Sequence, residues 1–522
     1  MGRYLLAAEA DKIQDFVFRS SRLKEVVGGS QLLTRFCKEV PKILLGRTDD
    51  IVIQDAGSFR ILFDCPKEAK EFGKKLAEVY YRATEGSLTV AEPVEIKDNF
   101  GVAAGKADEA LRQAKMDRSG WREQEHLPFA AFCDSCGTGL AAALQPDEEG
   151  GELRYLCPCC LRKRAEQAKG LGDFLNSFFD KITRKNPGEL DYPGKGANDP
   201  TQDVAACDPR GYVSDLLDDG YDMGRIFGRC KDERQMRRLS QGLREVMREA
   251  LAAPTEKIYY TNPLPGREGM IPVLPLIIGG DDLFALIPAP WALDFAGCFC
   301  RAYEEKMAAL MKNIGLPEVH PTISAAVVIC KSKYPYKSAY RVGLRRLKEA
   351  KEIGKEKGLS MVNFELIQGG VDPEEPGDRV RPTLRPYFVG EEEIPNYALP
   401  LKRLLEYRLK LRTIPNSRLS ELQELYDFYA LPSSDSKEEL TSWKKKPDRL
   451  LERVRRKDEE QAGLIADSLA HLGQIKEKEL GWWYQIECYQ GNYFGHALPD
   501  LLTIWDFALR LEEPRQTYYE EG

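Results

Sequence analysis

Four consecutive residues near the middle of the chain, Gly279-Gly280-Asp281-Asp282, stand between two apolar runs that together reach from Pro272 to Pro288. Two glycines permit a sharp reversal, so the pattern predicts a β-hairpin whose rigid tip projects two carboxylates. Adjacent like charges repel unless a cation joins them. A second acidic group, Asp218-Asp219-Gly220-Tyr221-Asp222, ends a run that begins as a strand at Tyr212. If the two strands are neighbours, Asp219 faces the hairpin tip. Asp219, Asp281 and Asp282 then form an oxygen-only site suited to Mg²⁺ or Mn²⁺, with Asp218 as a rival ligand. Such a cluster serves phosphoryl or nucleotidyl transfer, where metal ions lower the pKa of an attacking hydroxyl and neutralise a leaving pyrophosphate. Lys351, closing a later helical run, is placed as a point-charge clamp on phosphates, beside Gly220, Gly279 and Gly280. A Gly-Gly-Asp-Asp standing alone reads as a solvated turn; Asp219 and Lys351 are what point to metal and nucleotide.

A second constellation is Cys133-x-x-Cys136 and Cys157-x-x-Cys160, separated by twenty residues. This is the spacing of the two knuckles of a tetrahedral zinc ribbon, with Cys159 as an alternative to Cys160. Four thiolates leave no open coordination position, so the predicted zinc is structural and not catalytic.

The elements that must carry these residues repeat. Residues 3–10 read as a strand, and Asp11 to Val40 has helical spacing interrupted at Gly28-Gly29. A hairpin follows over 50–64, with its turn at Ala56-Gly57-Ser58, then a helix from Pro66, a strand, and a helix ending Leu-Arg-Gln-Ala-Lys115. From Gly211 the same order returns. Ser240-Gln241 stands where Ser30-Gln31 did, Pro290 lies eight residues beyond Asp282 as Pro66 lies eight beyond Ser58, and the last helix ends Leu-Lys-Glu-Ala-Lys351. Two copies of one α/β (α+β) unit account for this most simply. The first copy lacks the aspartate pair in its turn, so it is expected to be non-catalytic. Its Gly28-Gly29-Ser30 segment is either an interhelical turn or a source of backbone N–H groups for the phosphates of a second nucleotide. The expected division is 1–128 for the first copy, 129–165 for the zinc ribbon, 166–210 for a linker rich in Gly, Pro and Asp, 211–390 for the second copy, and 391–522 for a helical C-terminal domain with leucines at helical spacing.

Composition narrows the function classes. The 522 residues are enough for about three to five structural units. Lys+Arg total 76 against 83 Asp+Glu, a net charge of -7 that argues against a simple nucleic-acid binder and against a template-directed polymerase with a basic cleft. No run approaches the ~18 apolar residues of a membrane span, and no signal-type segment precedes the early acids, so a cytoplasmic location and no membrane partner are expected. Thirteen cysteines, an odd number, fit thiols and a metal site better than a disulfide framework. Trp443-Lys444-Lys445-Lys446 and Arg453–Lys457 are candidate RNA contacts or solvated helix faces, and Trp482-Trp483-Tyr484 reads as core, with base stacking or a partner contact as the alternative.

Taken together, Gln14-Asp-Phe-Val-Phe, Gly28-Gly-Ser-Gln-Leu-Leu, the four cysteines, Asp219-Gly-Tyr-Asp-Met-Gly, Gly279–Asp282, Lys331-Ser-Lys-Tyr-Pro335 and Leu347-Lys-Glu-Ala-Lys resemble the large polymerase/cyclase-like subunit of type III CRISPR effector complexes. The resemblance implies two ferredoxin-like palm domains of nucleotidyl cyclase/polymerase type, a zinc ribbon between them and a helical C-terminal domain. It also implies conversion of ATP to cyclic oligoadenylates, with acids matching Asp219, Asp281 and Asp282. Other effector subunits with guide and target RNA are the implied partners, a standalone or homo-oligomeric form being the alternative. Many members start with a histidine-aspartate nuclease domain; this chain starts at the first palm, and none of His126, His320, His471 and His496 precedes an aspartate, so no DNase activity is expected. A non-catalytic nucleotide-binding scaffold or RNA-sensing subunit is the competing function.

Overall fold

The computed structural model describes residues 2–20, 22–97, 99–117, 130–146, 151–169, 173–183, 189–195, 199–369, 383–390, 399–426, 437–473, 484–488 and 491–514. The first unit runs β1 (Arg3–Ala10), α1 (Ile13–Val17), α2 (Leu23–Leu45), β2 (Ile51–Asp55), β3 (Ser58–Phe63), α3 (Pro66–Thr84), β4 (Leu88–Val90), β5 (Val94–Ile96) and α4 (Phe100–Asp117). Its sheet has the order β2-β3-β1-β4, with β5 also pairing with β1. A small hairpin, β6 (Ala143–Pro146) and β7 (Leu153–Leu156), leads into α5 (Pro158–Gln167), followed by α6 (Asp173–Ile182) and α7 (Pro200–Ala205).

The second unit runs β8 (Tyr212–Gly220), α8 (Met223–Phe227), α9 (Glu233–Thr261), β9 (Leu274–Gly279), β10 (Asp282–Pro288), α10 (Ala292–Asn313), β11 (Ile323–Lys331), α11 (Tyr336–Lys357), β12 (Met361–Leu366) and β13 (Tyr387–Phe388). Its order is β13-β12-β11-β8-β10-β9. Stripped of the added β12 and β13, it repeats the first sheet, second strand, third, first, fourth, which is the repeat expected from the sequence and the ferredoxin-like arrangement that the resemblance implied. In each copy the first strand is central. β8 is buried along nearly its whole length because β10 and β11 flank it, α10 contacts one face and α11 the other.

The C-terminal region carries α12 (Leu401–Lys410), α13 (Asn416–Leu425), α14 (Lys437–Arg455), α15 (Glu459–His471) and α16 (Ala497–Thr503), and of the leucines at helical spacing Leu401, Leu404, Leu405, Leu419, Leu422 and Leu425 form the buried faces of α12 and α13, while Leu409 is exposed. It is not purely helical. Tyr484–Cys488 and Gly491–Gly495 pair as an antiparallel hairpin, β14 and β15, in keeping with the aromatic and β-branched residues there. Of the expected aromatic core residues Trp482 and Trp483 lie outside the described residues, as do the side chains of Trp443 and Lys444.

Two further expectations need correction. The 166–210 segment is not a plain linker: α6 buries Phe178 and Phe179 fully, and the Asp-Pro pair works as a helix start, with the Asp199 side chain accepting from Thr201 N and Pro200 in the first turn of α7. Gly28 and Gly29 do not break a helix either. They sit inside the continuous α2, where α5 crosses so closely that a Cβ on Gly28 would lie 2.0 Å from the Lys163 backbone oxygen. The glycines are there for contact between helices, and their N–H groups belong to the helix.

That contact predicts opposite signs for the same substitution at two helical glycines. Gly28→Ala should destabilise the protein by about 2–3 kcal/mol through overpacking. Gly105→Ala, on an exposed stretch of α4 where nothing lies within 4 Å, should stabilise it by about 0.5–1 kcal/mol. Urea midpoints of the two variants moving in the same direction would contradict the packing described.

Candidate functional site

The antiparallel ladder between β8 and β10 sets Asp219 directly opposite Asp282, with Leu283 opposite Asp218. The hairpin thus brings the two acidic segments together as expected. Alternation along β8 then separates the neighbours. Leu217 faces α11, where a Cβ on Gly343 would meet it at 2.5 Å, and Asp219 shares that face. Asp218 and Gly220 turn toward α10, where a Cβ on Gly220 would lie 3.2 Å from Tyr303 Oη and 3.0 Å from the Asp281 Cβ. Glycine at 220 therefore lets the hairpin tip fold over the end of the strand. Gly280, at φ 64°, makes the reversal itself.

Four carboxylates consequently surround one strand end. Burial, with Asp219 nearby, pushes Asp281 up to about 6, and burial with Asp281 and Asp219 pushes Asp282 up to about 8. Asp282 is exposed and lines the cavity between the palms, with the apolar strand ends and Tyr340 around it. Asp218 is 2% exposed and raised well above the usual range by burial and then by Asp282. Neither of its oxygens has a well-formed hydrogen bond; the Leu283 N–H is the donor that reaches toward it. Lys351 Nζ pairs with the Asp219 carboxylate, from within α11 and not at its end, since the helix continues to Lys357. Lys355 pairs with Asp222 at the start of α8. Buried acids with this much unspent acceptor capacity suit a hard divalent cation.

The cavity measures about 1480 Å³ and is shared between the copies. Asp219, Asp282 and Tyr340 line it from one side, Asp11, Ser30 and Asp55 from the other. Ser30 thus reaches the cavity from the middle of α2 and not from a helix N-terminus. The hairpin tips face each other, with a Cβ on Gly279 falling 3.3 Å from the Ala56 Cβ. In the first copy the same register pairs Glu9 with Ser58, and Lys115 lies 3.0 Å from Glu9. Glu9, Ser58 and Lys115 are therefore the counterparts of Asp219, Asp282 and Lys351. Sequence reading had found Lys115 only as the end of a repeated helix and had missed Glu9, whose role shows in the strand register alone.

The cysteines form the other site. The ligand sulfurs of Cys133, Cys136, Cys157 and Cys160 all lie within 4.8 Å of one another, and the Cys136 and Cys157 Sγ atoms are 3.8 Å apart, about the edge of a tetrahedron with 2.3 Å zinc–sulfur bonds. Among the described residues the four thiols reach this compactness and the aspartates do not. Cys159 is outside the cluster, its Sγ directed at Thr84 O at 3.4 Å. Hydrogen bonding from Cys157 holds the Cys136 thiol far below its usual range, and hydrogen bonding with Cys136 and Cys157, then burial, raises Cys160. The donor set fits a structural zinc ion.

The ribbon reaches the cavity through α5. Lys163, fully buried, donates through Nζ to Phe16 O and to Val17 O at 3.2 Å, closing the end of α1. Glu25 of α2 pairs with Arg164 at 2.6 Å and accepts from Ser20 and Ser135. Just beyond α1, the Phe18 ring lies tilted over Tyr340 with centroids 4.1 Å apart and meets Phe284 edge to face at 5.1 Å, beside Asp282. Phe18 ends the Gln14-Asp-Phe-Val-Phe stretch, which carried no assigned role, and Lys163 and Glu25 lie in no motif the sequence singled out.

Two outcomes follow. In metal-free protein, carboxyls with raised folded pKa values stabilise fully below the unfolded value near 3.8, and that stability is lost as pH rises through about 6 and about 8. Asp282→Asn should flatten the upper part of this fall, and Mg²⁺ should offset it in the parent; urea midpoints across pH that run parallel in parent and variant would refute the linkage. Stripping the ribbon metal with a chelator should raise hydrogen exchange at residues 13–18 as well as 158–167, and unchanged exchange at 13–18 would show that the ribbon does not brace the cavity.

Residues 212–359 match the family model described as Cas10/Cmr2, second palm domain. No curated protein matches the chain. Among solved structures, Csm1 in T. onnurineus is similar at 17% identity and a TM-score of 0.56, covering 98% of this chain and 70% of that one. Csm1–Csm4 cassettes in complex with cA3 and with cA4 are similar at 17% identity and TM-scores of 0.52 and 0.50, with the same coverage of both chains. At this identity the likeness is one of fold, and it extends beyond the second palm to the first palm and the ribbon. The chain is accordingly Cas10-like in fold, and its residues 212–359 are similar to the second palm domain of the Cas10/Cmr2 family.

Proposed function

We propose that this chain is a metal-dependent nucleotidyltransferase that joins ATP into cyclic oligoadenylates as a subunit of a type III CRISPR-type antiviral effector complex. The observation that carries the reading is the placement of Asp219 opposite Asp282, with Asp281 folded over the strand end, at the mouth of a cavity walled by both palms. Bound Mg²⁺ or Mn²⁺ would supply the charge that lowers the pKa of a ribose hydroxyl and neutralises pyrophosphate as it leaves. Asp219, Asp281 and Asp282 are the residues to hold it, with Asp218 buried behind them. Lys351 is then released from Asp219 to meet triphosphate oxygens. Ser30 and the first palm's wall face a second nucleotide, whose hydroxyl is the acceptor. Glu9 and Ser58 leave the first palm with one carboxylate where the second has a pair, which supports a binding and not a catalytic part for it. Effector partners of the Csm4 kind, guide RNA and target RNA belong to the same reading. Arg453–Lys457 is exposed apart from Val454, and Arg453 is held by Glu421 at 2.9 Å, so this run offers RNA its remaining cations.

Purified chain with labelled ATP and Mg²⁺ or Mn²⁺, alone and with guide and target RNA complexes, should yield pyrophosphate and oligoadenylate. Asp281→Ala/Asp282→Ala should reduce both at least about a hundredfold. Absence of product under every condition, with nucleotide still bound, would replace the enzyme by a nucleotide-binding scaffold.

A further inference from the structure

A second cavity, of about 390 Å³, lies against the first and shares Thr34, Asp55 and Ile278 with it. It forms where the palms cross: α9 of the second packs on β2 of the first, and α2 of the first packs on β9 of the second. Aligning Ser30-Gln31 with Ser240-Gln241 makes Thr34 the counterpart of Arg244 and Lys38 that of Arg248, and all four line this cavity. Three cations from equivalent turns of two helices therefore converge on the line relating the two palms.

Their partners are unequal. Arg244 is held by Asp55 at 2.6 Å, whereas among the described residues Arg248 has only Glu245, at 3.7 Å, as an ion-pair partner. The Arg248 side chain is 17% exposed, and its Nε is buried without a hydrogen-bond acceptor. Gln54 Oε1, also lining the cavity, is buried and unbonded; an amide turned about its last torsion presents N–H in its place. Burial, with Arg244 close by, already disfavours the charge on Arg248. A guanidinium left in that state is costly, and an anion that accepts from its planar fork removes the cost. The opposing carboxylates, Asp55 and Asp180, are respectively spent on Arg244 and exposed at the rim.

We propose that this cavity is an anion subsite for a diphosphate group, centred on Arg248 and separate from the aspartate cluster. Free pyrophosphate and the diphosphate of a nucleotide share this chemistry. The inference deepens the nucleotidyl-transfer reading by giving a released or carried phosphate group a place next to the main cavity. It does not require turnover, so a chain that makes no product from ATP leaves it standing.

Calorimetric titration of inorganic pyrophosphate into the full chain, with its ribbon metal in place and no Mg²⁺ or Mn²⁺ added, tests it, because without those ions the aspartates repel the ligand. Binding should be seen in the parent, weaken about tenfold or more in Arg248→Gln at unchanged melting temperature, and persist in Asp281→Ala/Asp282→Ala. Adenosine diphosphate that displaces pyrophosphate assigns the nucleotide as occupant; failure to displace assigns free pyrophosphate, and both keep the subsite. Absence of binding, equal affinity in parent and Arg248→Gln, or loss only in the double aspartate variant overturns the proposal. Should Arg248→Gln not fold, Lys38→Gln at the exposed rim serves instead, and an affinity unchanged from the parent is then the refuting result.

Discussion

Electrostatic repulsion at the end of β8 is the constraint around which the second palm is arranged. Asp218, Asp219, Asp281 and Asp282 are gathered at one strand end, and burial together with neighbouring carboxylates makes ionisation of Asp218, Asp281 and Asp282 harder. Such a group is tolerable only if something cationic answers it and if the strands cannot slip apart. Lys351 answers it within the chain. The ladder between β8 and β10 prevents slipping, because a shift of one residue would send Asp282 to the opposite face along with every apolar side chain of the strand. Flanking strands and helices that bury β8 are thus the means by which the sheet holds charge it would otherwise expel.

The first palm shows the same frame with that constraint relaxed. Its register sets Glu9 against Ser58, and the Glu9–Lys115 pair persists. One carboxylate with one lysine is a balanced surface pair and needs no metal. What the first palm contributes is shape: its hairpin tip meets the other's at Ala56 and Gly279, and α2 lends Ser30 and Thr34 to the cavities. Two copies of a small α/β unit, packed so that each long helix lies on the other's edge strand, enclose a space that neither encloses alone.

The zinc ribbon extends this logic to a segment with little core of its own. Cys157 and Cys160 begin α5, and the same helix supplies Lys163 and Arg164 to α1 and α2. A metal knuckle fixes where α5 starts, and tight glycine contacts on α2 fix how near it comes. A buried lysine is expensive unless its donors are filled. Two backbone carbonyls at the end of α1 accept from two of the three, with the Phe16 ring 4.5 Å from the ammonium, and the cost of misplacing that charge locks the ribbon to the wall carrying Phe18.

Spacing and repetition along the chain determined a good deal. Two copies of one unit, four cysteines at zinc-ribbon spacing, and an aspartate pair on a glycine turn are local facts, because turns, knuckles and strand alternation depend on residues close together in sequence. Asp219 as the partner of the hairpin was legible too, since a repeated strand order leaves few sheets to choose from. Tertiary structure alone decided the rest. Whether Gly28-Gly29 breaks α2 depended on a helix more than a hundred residues away. That Asp218 is buried while Asp219 faces the cavity followed from which helix covers which face of β8. The meeting of Lys38, Arg244 and Arg248 exists only where the palms cross, and no pattern within either copy encodes it. Local conformation answers to neighbours in the chain; burial, and with it the energy of every charge here, answers to neighbours in space.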